Sequence, residues 1–130
     1  MNWRNLDMKY YVCEHCGNII EFAKNTGVPV MCCGQPMTEL VPGTSDGAVE
    51  KHVPVVSVNG NEVLVEVGSV EHPMVEEHFI EWIVIETKKG SQKVQLNPTD
   101  EPKAKFLLAE DDELVSAYAY CNLHGLWKSK

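Results

Sequence analysis

Beyond residue 47 the chain alternates apolar and polar residues in short stretches separated by turn formers. His52 to Val58 is rich in β-branched residues, Asn59-Gly60 is a hairpin signal, and Val63, Val65 and Val67 alternate with Leu64 and Glu66. That combination predicts a β-hairpin. Further strands are expected at Phe79 to Thr87, Ser91 to Leu96, Lys105 to Leu108 and Leu114 to Cys121, with breaks at Lys89-Gly90, Asn97-Pro98 and Asp111-Asp112. Ala104 to Tyr120 carries enough Ala, Leu and Glu to suit a helix by propensity; we read it as two strands. Many short strands of this kind predict a sandwich or barrel.

The first part of the chain is organised differently. Val41-Pro-Gly-Thr-Ser-Asp-Gly47 is a run of turn formers with little to bury, which reads as a linker. We therefore expect a small domain over 1–38, a linker over 39–47 and a second domain over 48–130. Residues 1–38 hold three basic and three acidic side chains, whereas 39–130 hold eight and sixteen, so the whole formal charge of -8 lies in the second part. That sign argues against nucleic acid and anionic membrane surfaces as partners. The N-terminus lacks the apolar core of a secretory signal and no apolar run approaches membrane-spanning length.

Five cysteines occur, with Cys13, Cys16, Cys32 and Cys33 close together, and an odd number cannot all pair within one chain. Thiols kept reduced to hold metal suit a cytoplasmic home. A domain of under ~40 residues usually needs a disulfide, a metal or a partner to fold. Cys13-Glu-His-Cys16-Gly sets two thiols on one turn, and Cys32-Cys33-Gly supplies two more beside a second glycine. Four thiolates suit a tetrahedral site that selects zinc or iron, and the spacing leaves both open. Because Cys32 and Cys33 are adjacent, such a site is expected to be strained. His15, inside the first turn, is taken as a non-ligand.

The second part carries His52, His72, His78, Cys121 and His124, the last two as a C-x-x-H pair. Four imidazoles and one thiolate form a mixed set suited to iron, copper or zinc, and five ligands leave a sixth octahedral position open for chemistry. Glu50 and Lys51 directly precede His52 and can reach whatever binds there. Trp82 and Trp127 are expected in the core, with Trp127 shielding one side of the metal.

Taken together, Cys13-x-x-Cys16, Cys32-Cys33, Glu50-Lys51-His52-x-Pro54, His72-Pro73-Met74, His78 and Cys121-Asn122-x-His124-Gly125 resemble the desulfoferrodoxins, the two-iron superoxide reductases. The resemblance runs from about Tyr11 to Trp127. It implies a mainly β protein: a rubredoxin-like or desulforedoxin-like domain with iron on Cys13, Cys16, Cys32 and Cys33, then an immunoglobulin-like β-sandwich. There a second iron has His52, His72, His78 and His124 in one plane and Cys121 on the axis. Implied too are one-electron reduction of superoxide to hydrogen peroxide, a four-thiolate iron acting as electron relay or structural element, an electron donor such as rubredoxin, and a homodimer. Lys51 would steer the anion, and Glu50 would occupy the vacant position once iron is ferric. The competing reading is a zinc-ribbon-like module joined to a sandwich that binds another protein without catalysis.

Overall fold

The computed structural model describes residues 8–130, which fall into two compact units, 8–41 and Pro42–Lys130. In the first, β1 (Tyr10–Val12) is the centre of a three-stranded antiparallel sheet, flanked by β2 (Ile19–Glu21) and β5 (Thr38–Leu40). A separate two-stranded hairpin joins β3 (Met31–Cys32) to β4 (Gln35–Pro36). Each strand spans only two or three residues, too few to write an alternating pattern into the sequence. The apolar interior is correspondingly small. Among the described residues Tyr10 and Cys13 are the buried ones, and Tyr11 packs edge-to-face on Phe22 at 5.2 Å.

The second unit is a β-sandwich. One sheet has the order β10-β7-β6, from β6 (Pro54–Asn59), β7 (Glu62–Val67) and β10 (Lys103–Leu107). The other has the order β12-β11-β8-β9, from β8 (Ile80–Thr87), β9 (Ser91–Gln95), β11 (Leu114–Cys121) and β12 (Gly125–Lys128). All pairings are antiparallel. Val63, Val65 and Val67 turn inward from β7, with Ala104 and Phe106 beside them. They meet Ile83 and Ile85 of β8 and Ala117, Ala119 and Cys121 of β11 in one apolar core. The stretch that propensity would make helical is β10, a loop and β11, because its inward alternation closes this core.

Three local differences from expectation have physical causes. The β6–β7 hairpin turns at Gly60-Asn61 rather than Asn59-Gly60: Asn59 pairs with Glu62, and Gly60 at φ 62° takes the first central position, where only glycine is unstrained. His52 does not open a strand but ends a one-turn helix, α1 (Val49–His52), closed by Lys51 N–H to Ala48 O and Val53 N–H to Val49 O. Pro54 then holds Val53 extended and starts β6. Finally, β12 is an additional strand, four residues long and paired to β11.

Candidate metal centres

The thiol centre rests on two tight turns. After β1 the Cys13 amide donates to Asn18 O and the Gly17 amide to Cys13 O, both at 2.8 Å, with Gly17 at φ 84°. In the second turn Cys32 pairs with Gln35, so Cys33 and Gly34 are the loop residues, at φ 52° and 78°. Positive φ at both central positions marks a type I′ hairpin, and at Cys33 it costs about 1–2 kcal/mol because a Cβ is present. Neighbours on a straight strand would point to opposite faces; this turn lets Cys32 and Cys33 face the same point. The backbone strain that this turn requires sits at Cys33.

Sulfurs of Cys13, Cys16, Cys32 and Cys33 lie within 4.8 Å of one another, with Cys16 Sγ and Cys32 Sγ 3.6 Å apart. The Cys16 amide points at Cys13 Sγ from 3.4 Å, and Asn18 Nδ2 at Cys32 Sγ from 3.9 Å. The Cys16 amide is the main cause of a Cys13 thiol lowered to about 6; Cys33 is pushed up to about 12, first by the Cys16 thiol beside it. One thiolate forms readily and opposes the next, so gathering four requires a cation. None of the cysteines is in a disulfide, and His15 is exposed and outside the cluster.

The second centre is assembled from three connections at one end of the sandwich. His52 ends α1, His72 and His78 lie between β7 and β8, Cys121 ends β11, and His124 sits in the turn to β12. Their imidazoles form a closed ring of edge-to-face contacts: His52–His72 at 4.7 Å, His72–His78 at 4.7 Å, His78–His124 at 4.9 Å and His124–His52 at 4.8 Å. The diagonal His52–His78 is 6.4 Å. Four near-equal sides and a longer diagonal describe a square of rings. Cys121 approaches it from the apolar core, fully buried, with Sγ 3.8 Å from His124 Nδ1.

A β-bulge gives Cys121 that position. Tyr120 pairs with Trp82, but Cys121 pairs with Ile80, leaving Glu81 as the extra residue of β8. Without the bulge Glu81 would stand opposite Cys121 on the core face; with it, Ile80 does. Asn122 joins two of the ligand-bearing loops. Its Oδ1 accepts from Phe79 N–H at 3.0 Å, its Nδ2 donates to Glu77 O at 3.0 Å, and its own amide donates to Phe79 O at 3.2 Å. Trp127 stacks on His52 at 5.0 Å and donates from Nε1 to His124 O at 2.9 Å. Sequence reasoning quoted Asn122 without giving it a role; a short polar side chain between two ligands was the available signal.

Ring tautomers follow from the hydrogen bonds. His52 Nδ1 lies 2.7 Å from Ala48 O, and His72 Nδ1 2.7 Å from Pro73 O. A carbonyl only accepts, so each Nδ1 carries the hydrogen and each Nε2 a bare lone pair. Yet these two Nε2 atoms face each other at 3.2 Å, His124 Nδ1 stands 3.1 Å from His52 Nε2, and His78 Nε2 is buried with no hydrogen-bond partner. Lone pairs aimed at one another repel; an electrophile among them turns the same arrangement into ligation. Burial lowers His52 and His78 and brings His72 down to about 4, keeping these rings neutral as ligation requires. Burial also pushes the Cys121 thiol up, so its thiolate depends on a cation beside it.

Buried sulfur lies on one side of the square. Toward solvent, His78 and His124 are half-buried, and Glu50 and Lys51 are exposed on α1. After burial and the neighbouring rings, the Lys51 charge contributes to the lowering of both His52 and His78, so it lies within electrostatic reach of the site.

Two donor sets, one of four sulfurs and one of four imidazoles with a sulfur, define a metalloprotein with two separate centres. Sequence profiles agree. That of desulfoferrodoxin matches residues 44–130 and that of the desulfoferrodoxin N-terminal domain residues 6–40, and the chain belongs to the desulfoferrodoxin family. It is 50% identical over 122 residues to the desulfoferrodoxin homolog of Archaeoglobus fulgidus, covering 94% of this chain and 96% of that one. To the desulfoferrodoxin of Nitratidesulfovibrio vulgaris it is 50% identical over 120 residues, covering 92% and 94%. The crystal structure of the superoxide reductase from Treponema pallidum superposes with a TM-score of 0.80 at 39% identity, covering 95% of this chain and 99% of that one. Both donor sets fit iron: thiolate for the first, a borderline mixture for the second. Two iron centres per chain follow.

Proposed function

We infer that this chain is a superoxide reductase, taking superoxide, one electron and two protons to hydrogen peroxide without releasing dioxygen. The observation that carries the reading is the square of neutral imidazoles with a buried thiol on one side and solvent on the other. His52, His72, His78, His124 and Cys121 would hold the catalytic iron, and Cys13, Cys16, Cys32 and Cys33 the other. Iron at the first site supplies, when ferrous, the electron that superoxide takes up. A non-haem oxygenase would instead offer two imidazoles, one carboxylate and several open positions.

The remaining chemistry belongs to side chains. With a net charge of -8 the average field repels superoxide, so attraction must be local. Lys51 supplies it: an exposed ammonium within electrostatic reach of His52 and His78 steers and orients the anion. Glu50 offers a carboxylate to the solvent side of the square once iron is ferric and so helps product leave. Neutral imidazoles, the buried sulfur and water access from solvent favour release of intact peroxide over cleavage of its O–O bond. Electrons would come from a small redox protein such as rubredoxin, with the four-thiolate iron serving as relay or structural element, in a cytoplasmic homodimer.

The test is a pair of variants. Lys51→Ala should slow the second-order reaction with superoxide and flatten its salt dependence; an unchanged rate at low salt rejects the steering role. Glu50→Ala should keep superoxide reduction while altering the absorption of the ferric protein, and an identical spectrum counts against the carboxylate role.

A further inference from the structure

Glu50 and Lys51 sit on a single helical turn, and one turn does not hold itself in place. Its closure rests on the Lys51 N–H to Ala48 O and Val53 N–H to Val49 O bonds and on His52 Nδ1–H to Ala48 O, and Ala48 provides no side-chain cap. On one flank it borders an open surface pocket of about 500 Å³ lined in part by Val49, Glu50, Val53 and Ser69, so packing restrains it little there. The restraint comes from the Gly68-Ser69-Val70 segment, whose Ser69 also borders that pocket. Val70 N–H donates to Glu50 O at 2.8 Å, and Ser69 Oγ donates to the same oxygen at 3.2 Å. Beneath them Gly68 lies against the peptide chain of the turn: a β-carbon there would come within 2.6 Å of Glu50 O, 2.9 Å of Lys51 C and 3.1 Å of His52 N. Contacts that close with backbone cannot be relieved by a rotamer change. Only glycine fits.

We propose that Gly68 and Ser69 are positioning residues for the reaction: the Gly68-Ser69-Val70 segment fixes the turn that carries Glu50 and Lys51 at the open side of the imidazole square. This rests on the reading of Lys51 and Glu50 given above. Gly68 follows β7 and Ser69 lies on the way to His72, whose amide donates to Val67 O at 3.0 Å. The segment that seats one ligand therefore also sets the height of the charged pair. Ser69 contributes a second donor to an oxygen already bonded by Val70, a small effect with a defined direction. Gly68 contributes the close approach, which is all or nothing.

Four full-length, iron-loaded variants test this: Ser69→Ala, Ser69→Thr, Gly68→Ala and Gly68→Ala with Lys51→Ala. Ser69→Ala should lower the low-salt rate with superoxide about threefold and speed exchange of the Val70 amide, and Ser69→Thr should restore both. Gly68→Ala should lower that rate about tenfold or more, weaken its salt dependence and shift the ferric absorption, with iron per chain unchanged. Combined with Lys51→Ala it should cost much less than the product of the two separate losses, since both act through one charge.

Multiplicative losses in the double variant, or a Gly68→Ala loss that tracks lost iron, overturn the proposal, because Gly68 would then act through His52 alone. Should Gly68→Ala not fold, the serine pair decides: a Ser69→Ala rate and Val70 exchange equal to wild type overturn it. A wild-type rate for Lys51→Ala alone is a separate result, which removes the steering role and this proposal with it.

Discussion

Trp127→Phe is the perturbation that most directly probes how the sandwich holds its imidazoles. Trp127 is 4% exposed, stacks on His52 and donates its indole hydrogen to the carbonyl of His124. Phenylalanine keeps a ring against His52 but removes the donor and the second ring. Loss of the hydrogen bond in a buried setting costs about 1 kcal/mol. The apolar area forfeited by the smaller ring adds about 1 kcal/mol. A unit spanning Pro42–Lys130 should then melt about 10 °C lower at that combined cost of about 2 kcal/mol.

Function should change with it, because the freed carbonyl belongs to a ligand. His124 would lose the restraint that sets its Nδ1 3.1 Å from His52 Nε2. The assay pairs calorimetry of the full iron-loaded chain with absorption of its ferric form. A transition moved by less than about 3 °C, together with an unchanged ferric spectrum, would refute the claim that Trp127 is a structural wall of this centre.

Other expectations follow from single features. Cys33→Ser should reduce iron from two per chain to one and unfold the first unit while the second keeps its metal; metal analysis with amide dispersion in NMR reads both, and retained iron in the first unit would contradict it. Gly47→Ala should distort the imidazole square, because a β-carbon there would meet His124 Cβ, His52 Cε1 and Trp127 Cζ2 at 3.2 Å; a changed ferric spectrum with little change in global fold is the expected result. The Thr87 hydroxyl, 2.6 Å from Asp112 Oδ2, holds the Asp112 carboxyl below the usual carboxylate range, with the Glu113 and Lys89 amides adding to it. A depressed folded-state value means stability that is present above the unfolded pKa and lost as pH falls through the folded one. Thr87→Val should therefore lower stability at neutral pH and flatten its decline in acid, as denaturant titrations at several pH values would show.

How much of this was legible beforehand differs between fold and site. β7 could be read because it buries one face and so alternates, and β8 and β11 because they are buried along most of their length and so read as apolar runs between turn formers; the core they share is what the hydrophobic pattern records. The strands of the first unit could not, since at two or three residues they are set by thiols and turns rather than by an apolar face. His52 illustrates the same limit from the other side. Its neighbours favour a strand, but Pro54 and the Nδ1 contact to Ala48 O put it on a helical turn.

All nine sulfur and imidazole donors were visible as residue types at suggestive spacings, and the structure gathers them into the two expected sets. Their supports were not visible. Gly47 and Gly68 act through close approach, which leaves no local pattern, and Asn122 through hydrogen bonds to loops far away in sequence, of which its place between two ligands is the one trace. The bulge at Glu81 is likewise a property of pairing between strands and cannot be read from either one alone.

The central claim is that the imidazole square with its sulfur holds a redox iron that gives superoxide one electron and no more. Stoichiometry tests it: reduced protein of known iron content is mixed with a measured quantity of superoxide, and peroxide and dioxygen are both counted. One peroxide per superoxide consumed, with no dioxygen and one catalytic iron oxidised each time, is the predicted result. Dioxygen evolved at half the superoxide consumed would make the protein a dismutase, and superoxide left untouched by a fully iron-loaded chain would leave the site without its function.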